Sequence, residues 1–244
     1  MKKILLLIPV MLLLSTLPGC DTLNQVAQTA GKQMGNPSTF EIASALKQAL
    51  EQGTNKSADR LSATDGFFGN AMIKILMPPE AQKAEKTLRA IGLNSLCDNV
   101  ILSLNRAAEN AAKEAKPIFI NSIKQLTLQD ASNILFSGND AATQYFKRTT
   151  INQLAEKFKP VIQASLNEVG ATRYYGEVAS TYNKIPFVTK LNPDISDYVT
   201  QMAIEGLFIE IAKEEINIRK NLSARSTTLM QKVFGYADNK TKPY

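Results

Sequence analysis

The feature that most constrains the fold is the helical spacing of apolar residues through most of the chain. The first such segment opens with a capping box, in which Ser38 is followed three residues later by Glu41. Its apolar residues then share one helical face: Ile42, Ala45, Leu46, Ala49 and Leu50. Only Ile73–Met77, directly before two prolines, is extended in character, and one strand cannot form a sheet. The pattern predicts a single all-α domain of about 8–10 helices, crossed by one short extended segment.

Glycine and proline predict where some of these helices begin and end. Gly53 predicts the end of the first helix, and Asn55–Ala63 is expected to form a second short one. A later helix is expected to open at Thr150 and to be kinked or restarted at Pro160. Gly235 predicts the end of the last helix.

The N-terminus has the pattern of an export signal. Lys2 and Lys3 precede the apolar run Ile4–Leu17, which is shorter than the roughly 20 residues of a membrane-spanning helix. Its length and flanks are those of a secretory signal peptide. The sequence Leu17-Pro18-Gly19-Cys20 resembles the lipobox of bacterial lipoproteins, which predicts cleavage before Cys20 and acylation of its thiol. The alternative is an ordinary signal peptide cut near Gly19, with Cys20 an incidental thiol.

These features divide the chain into a signal peptide (1–19), lipidated Cys20 with a flexible tether (20–37), a helical domain (38–235) and a polar C-terminal tail (236–244). The lipobox implies a lipid-anchored protein of the bacterial cell envelope that faces the periplasm. Asp21, directly after the anchor, resembles an inner-membrane retention signal and favours that membrane. We expect the membrane to be one partner, through acylated Cys20, and an envelope protein to be another.

Composition excludes several kinds of chemistry. The chain has 28 basic and 22 acidic residues, two cysteines and no histidine or tryptophan. Without histidine it cannot form a Ser-His-Asp triad or a His-rich zinc site, and two cysteines cannot supply four thiolates. Glu205, Glu210, Glu214 and Glu215 also lack the histidines of helical di-metal sites, so we expect no metal and no cofactor.

The basic excess is concentrated near the C-terminus. Seven basic residues follow Glu210: Lys213, Arg219, Lys220, Arg225, Lys232, Lys240 and Lys242. Only three acidic residues follow it. These cations could contact anionic headgroups. The alternative, which we favour, is a solvated helix end whose negative pole they suit. We expect no nucleic-acid partner, since that would need a clustered basic patch with base-stacking aromatics.

Several segments resemble a known family. The residues that carry the resemblance are Gly66–Phe68, Asn105–Glu109, Asp140–Phe146, Gly206–Phe208, Ile211–Glu215 and Val233–Gly235. They resemble, in the same order, the bacterial lipoproteins called domain of unknown function 4197 (DUF4197). The resemblance runs from about Ser38 to Gly235 and implies an exported lipoprotein with an α-helical domain. It implies no established activity and therefore no catalytic residues.

Polar residues on two predicted helices form a candidate site. Asn105, Arg106 and Glu109 share one helical stripe, and Arg219 and Arg225 add two cations. One hypothesis is a small polar site between helices in which Arg106 binds an anion. The alternative, which we favour, is an interhelical salt bridge or a solvated face.

Aromatic residues form a second candidate site. Phe67, Phe68, Tyr174 and Tyr175 could line an apolar ligand pocket, although aromatic residues at this spacing are more often core. Cys97 is interpreted as a buried small hydrophobe, with a reactive thiol as the alternative.

Three functions follow from these hypotheses. We expect a non-catalytic helical interaction or scaffold module. The alternative is a carrier or sensor of an apolar or amphiphilic ligand held between helices. A carboxylate-based hydrolase is a remote third, so the chain is not expected to be an enzyme.

Overall fold

The computed structural model describes residues 35–168, 170–184 and 186–240. The predicted signal peptide, Cys20 and most of the tether fall on residues 1–34, outside the described residues. Those described contain nine α-helices and no strand, which confirms the all-α prediction. The helices are α1 (Thr39–Ser62), α2 (Gln82–Ala90), α3 (Asn94–Ala112), α4 (Ala115–Lys124), α5 (Leu128–Phe136), α6 (Ala141–Glu168), α7 (Ala171–Tyr182), α8 (Ser196–Lys220) and α9 (Thr228–Lys240).

Helix α1 begins at the predicted capping box but does not end at Gly53. The Ser38 hydroxyl accepts a hydrogen bond from the Glu41 amide at 3.2 Å, and the Ser38 amide donates one to the Glu41 carboxylate at 2.8 Å. The predicted break at Gly53 is wrong, since the helix continues to Ser62. Gly53 is buried against α8, and a Cβ there would lie 3.7 Å from the Glu214 Cβ, an ordinary packing contact. Tertiary packing therefore overrides the local stop signal.

Helix α6 is continuous where the sequence predicted a start and a kink. Thr150 lies buried in its middle, and the Thr150 hydroxyl donates to the Phe146 carbonyl at 2.7 Å. Pro160 is accommodated inside the helix on its exposed side. The Glu156 carbonyl that loses its helical donor there belongs to an exposed residue, where solvent can satisfy it.

Helix α9 continues to Lys240, five residues beyond the predicted end at Gly235. The reason is that its apolar face continues: Phe234 and Ala237 are both buried. The segment 236–244, predicted to be a polar tail, therefore begins as helix.

Helices α1 and α6 both run antiparallel to α8. Contacts between α1 and α8 join Arg60 to Glu210, and they place Gly53 beside Ile218. Residue numbers therefore rise along α1 in the direction in which they fall along α8. Helix α6 runs antiparallel to α8 in the same way, since the Ala142 amide bonds to Glu215 while Lys159 pairs with Asp197.

After α8, helix α9 packs along α1 and also runs antiparallel to it. Thr227 bonds to Gln48, and Lys232, on α9, pairs with Glu41 in the first turn of α1. The C-terminal half of α9 therefore lies at the end of the domain where α1 begins, which we call the entry end. Helix α8 begins 14 residues before Glu210, about 20 Å beyond the last turn of α1. We call that opposite end the far end.

The extended segment is present as predicted. Residues 74–78 have no strand partner, and Ile73, Ile75 and Met77 are buried while Leu76 is exposed. This alternation is that of extended chain with one buried face. The segment crosses α8 at Gly206, where a Cβ would lie 3.3 Å from the Ile73 Cβ.

Candidate functional site

Asn105 fixes the crossing segment to α3. The Ile75 amide donates to the Asn105 side-chain oxygen at 2.8 Å, and the Asn105 side-chain nitrogen donates to the Ile75 carbonyl at 2.8 Å. The same nitrogen donates to the Ile101 carbonyl at 2.7 Å. Asn105 is fully buried, and Ile75 is almost fully buried. The side-chain amide therefore takes the place of a neighbouring strand and satisfies backbone groups that water cannot reach.

Glu109, one turn later, holds the loop that precedes the crossing segment. One carboxylate oxygen accepts from the amides of Phe67 and Phe68 at 3.1 and 3.2 Å. The other accepts from Arg106 at 2.6 Å, and Arg106 also donates to Asp65 at 2.8 Å. Glu109 is 4% exposed. Donation to the Glu109 carboxylate raises the pKa of Arg106 above its ordinary value.

The loop's backbone requires the residues found there. Asp65 has a φ of 65°, in the left-handed region, and Gly66 follows. A Cβ at Gly66 would lie 2.4 Å from the Arg60 carbonyl oxygen, so any other residue would force the backbone apart. The loop therefore presents two adjacent amides to one buried carboxylate.

Glu215 and Arg219 form a second cluster, between two helix ends. The Glu215 carboxylate accepts from the amides of Ala142 and Thr143 at 2.9 and 2.8 Å, and from the Thr143 hydroxyl at 2.8 Å. These amides belong to the first turn of α6, where a helix has unpaired donors and a positive pole. Arg219 donates to Glu215 at 2.9 Å.

Arg219 also serves the opposite pole of α5. Its guanidinium donates to the carbonyls of Ile134 and Leu135 at 2.7 and 3.1 Å, in the last turn of that helix. The Glu215–Arg219 pair thus places an anion at the start of α6 and a cation at the end of α5. It joins three helices around the turn between α5 and α6.

Arg225 closes the C-terminus of α8. It donates to the carbonyls of Ile218 and Arg219 at 3.0 and 2.7 Å and pairs with Asp238 at 2.8 Å. Arg225 is 3% exposed. Arg219 and Arg225 therefore both bond to carbonyls at helix ends, but their side chains are largely buried, whereas the sequence favoured a solvated helix end.

The structure does not bring the five candidate polar residues into one site. Asn105, Arg106 and Glu109 lie where the crossing segment meets Gly206, whereas Arg219 lies 13 residues farther along α8, about 20 Å away. Each cluster satisfies its own backbone groups. In both places the arginine and the glutamate pair within one helix, so the ion pair is structural but is not the interhelical one that the sequence favoured.

A third ion-pair cluster was not identified from the sequence. Arg60 on α1 pairs with Glu210 and, at 3.0 Å, with Glu214, and these contacts raise the pKa of Arg60. Lys213 adds a contact to Glu210 at 3.3 Å. The i,i+4 spacing of Glu210 and Glu214 indicated a shared face, but nothing in the sequence indicated Arg60. Across the described residues, no three acidic or cysteine side chains are placed to hold a metal ion.

The candidate aromatic residues belong to the core or to its edge. Phe67 is fully buried against Gly206, and Tyr175 is 1% exposed. Burial raises the pKa of the Tyr175 phenol to about 12. Phe68 and Tyr174 are half-buried under cations, with the Lys74 ammonium 3.8 Å from the centre of the Phe68 ring.

The small apolar pocket lies elsewhere. It has a volume of about 30 Å³ and is lined by α1, α6, α8 and α9, with Glu215 and Arg219 on its wall. That is room for about one water molecule, far below the ~300 Å³ or more of an ordinary ligand site. Two larger depressions, of about 320 and 470 Å³, lie on the surface. The first is lined wholly by polar side chains, and the second carries charged residues such as Lys113 and Glu168. None of the three is lined by Phe67, Phe68, Tyr174 or Tyr175.

Cys97 is buried on α3, with its sulfur 3.9 Å from the Glu85 carbonyl oxygen. Desolvation raises the pKa of the thiol, which lowers the fraction of reactive thiolate. These observations favour the buried hydrophobe over the reactive thiol.

Comparison with known families decides the relationship. The model of the family described as "Protein of unknown function (DUF4197)" matches residues 36–235, which include every helix from α1 to α8 and most of α9. The chain belongs to this family. The DUF4197 match covers both buried-carboxylate clusters, so they lie within the family domain. The comparisons with curated proteins and with solved structures found no match. Within the described residues, none of the helices combines the length and apolar composition that a bilayer crossing requires.

Proposed function

We propose that the protein is a lipid-anchored module of the bacterial cell envelope whose helical body binds a partner protein and performs no catalysis. The observation that carries this proposal is the hydrogen bonding of two buried carboxylates. Glu109 and Glu215 each accept hydrogen bonds from two backbone amides and from an arginine. Both carboxylates are also nearly fully buried, which leaves a substrate little access to their oxygens. These charges stabilise helix and loop ends.

The anchor is proposed from the N-terminal sequence. An acylated Cys20 would hold the protein at the membrane, and Asp21 favours the inner one. The helical domain starts at Ser38, so a tether of 17 residues lies between Cys20 and that start. Fully extended, such a tether spans at most about 60 Å. The body would therefore work close to the membrane, on its periplasmic side.

The far end offers a surface suited to a protein partner. Phe187, in the loop between α7 and α8, is fully exposed with a φ of 63°, a strained value for an aromatic residue. The base of this loop is clamped, since the Asn183 side chain donates to the Leu191 carbonyl at 2.9 Å and accepts from its amide at 2.7 Å. An exposed aromatic on a clamped loop is the chemistry of an interface anchor.

Photo-crosslinking in cells tests this proposal. A photoreactive phenylalanine analogue at Phe187 is expected to give a discrete protein adduct. The control places the same analogue at Ile91, which is 68% exposed in the turn between α2 and α3 and is expected to give none. No adduct at Phe187, or the same adducts at both positions, would overturn the assignment.

The carrier hypothesis has less support. The pocket between helices holds about 30 Å³, and the aromatic residues that suggested it are packed in the core or covered by cations. Native mass spectrometry of gently extracted protein tests it, because a bound lipid would appear as an added mass.

A further inference from the structure

The entry end carries an aromatic and cationic cluster that the proposed function does not use. The rings of Phe136, at the end of α5, and Tyr236, on α9, pack edge to face with centroids 6.2 Å apart. The Lys240 ammonium lies 5.6 Å from the first ring centre and 5.0 Å from the second. Phe136 is 37% exposed, and Phe40 in the first turn of α1 is 73% exposed.

The position of this cluster follows from the pairing of α9 with α1. Lys232 pairs with Glu41, in the first turn of α1. Tyr236 and Lys240 follow one and two turns later on an antiparallel helix. They therefore lie level with, or beyond, the residue at which α1 begins. The chain from Cys20 enters the domain at this same end.

Two acidic residues at this end are already paired with cations. Glu41 is neutralised by Lys232 and Asp238 by Arg225. Lys240 forms no ion pair with any described residue, and its ammonium lies near the two rings. No acidic residue in the described part of the chain neutralises its charge.

We propose that the entry end rests on an anionic membrane surface, with Phe40, Phe136 and Tyr236 at the level of the headgroups and Lys240 against anionic lipid. Aromatic rings favour the interface between water and hydrocarbon, and lysine places its stem along apolar surface while its ammonium meets the headgroups. A bilayer is favoured over a protein occupant because the tether keeps this end near the membrane. The inference rests on the anchoring proposed above. It orients the Phe187 loop away from the membrane, toward a periplasmic partner.

The absence of tryptophan from the sequence allows a direct test. Full-length protein carrying Phe136→Trp is reconstituted in vesicles of equal parts phosphatidylcholine and phosphatidylglycerol with brominated acyl chains, which quench nearby tryptophan. The matched control is Phe187→Trp, an exposed aromatic at the far end. Quenching is expected for Phe136→Trp in these vesicles and is expected to fall in vesicles of phosphatidylcholine alone. The tryptophan at position 187 is expected to stay unquenched.

A second substitution tests the contribution of Lys240 to docking. Lys240→Gln, added to Phe136→Trp, is expected to shift the ratio of docked to undocked protein about fivefold toward the undocked form, the equivalent of about 1 kcal/mol for one basic residue at an anionic surface. Lys190→Gln, in the far-end loop, is the control and should leave the ratio unchanged. Equal quenching at positions 136 and 187, or none at 136, would overturn the proposal.

The mass of the Cys20 peptide from the same sample separates this inference from the anchoring. An acylated Cys20 with an unquenched tryptophan at 136 refutes docking and leaves the anchor standing. An unmodified Cys20 refutes the anchor, whereas quenching at 136 when that protein is added to the same vesicles still supports docking.

Discussion

Replacing Glu215 by alanine is expected to destabilise the domain by about 3–4 kcal/mol, because it removes one partner of a buried ion pair. The substitution leaves the amides of Ala142 and Thr143 without an acceptor at the start of α6. It also leaves Arg219, whose side chain is only 12% exposed, with its two carbonyl partners and no counter-charge. The two lost amide hydrogen bonds to a charged acceptor, at about 1.5–3 kcal/mol each, amount to about 3–6 kcal/mol, a range that contains this value.

Denaturant unfolding followed by far-UV circular dichroism measures this loss. The matched control is Glu205→Ala, since exposed Glu205 on the same helix bonds only to the Gln201 side chain. It should change the free energy of unfolding by less than about 0.5 kcal/mol. A double-mutant cycle with Arg219→Ala should give a coupling of about 1–3 kcal/mol. A loss below about 1 kcal/mol for Glu215→Ala, or one equal to the control, would refute the reasoning.

Three further changes test other parts of the structure. Asn105→Ala leaves both backbone groups of the buried crossing segment unpaired, and calorimetry should show a loss of about 2–4 kcal/mol. Gly206→Ala places a Cβ 2.7 Å from a buried phenylalanine ring and should cost about 1–3 kcal/mol in urea unfolding, whereas Gly235→Ala meets no atom within 4 Å and should be neutral or stabilising. The hydrogen bond from Lys232 is the largest cause that lowers the pKa of Glu41 from 4.5 to about 2, so its contribution to stability is present above pH 4.5 and is lost as the pH falls toward 2. Thermal melts of Glu41→Gln across this range should therefore depend less on pH than those of the unchanged chain.

Local signals in the sequence were sufficient where the interacting residues are neighbours. The capping box at Ser38 joins residues three apart, and it forms as predicted. The crossing segment was identified because proline restricts the residue before it. The breaks expected at Gly53 and Pro160 do not occur. At Gly53 tertiary packing keeps the helix continuous, and at Pro160 the carbonyl that loses its donor is exposed to solvent.

In the candidate site, too, local spacing in the sequence does not identify partners that are distant along the chain. Helical spacing placed Asn105 and Glu109 on one stripe, but their partners are backbone groups 30 to 42 residues away in sequence. Glu215 bonds to amides 72 and 73 residues before it. Side-chain type shows that such a group needs a partner, while only the fold shows which one. Arg60 was missed for this reason.

The adduct yield at Phe187 in cells, measured for Glu109→Gln and Glu215→Gln and corrected for the amount of folded protein, tests most directly whether the buried charges serve the fold. Both carboxylates bond to the protein itself, so the yield per folded molecule is expected to equal that of the unchanged chain. Loss of the adduct in a variant that circular dichroism shows to be folded would contradict this, because the carboxylate would then act on something outside the domain.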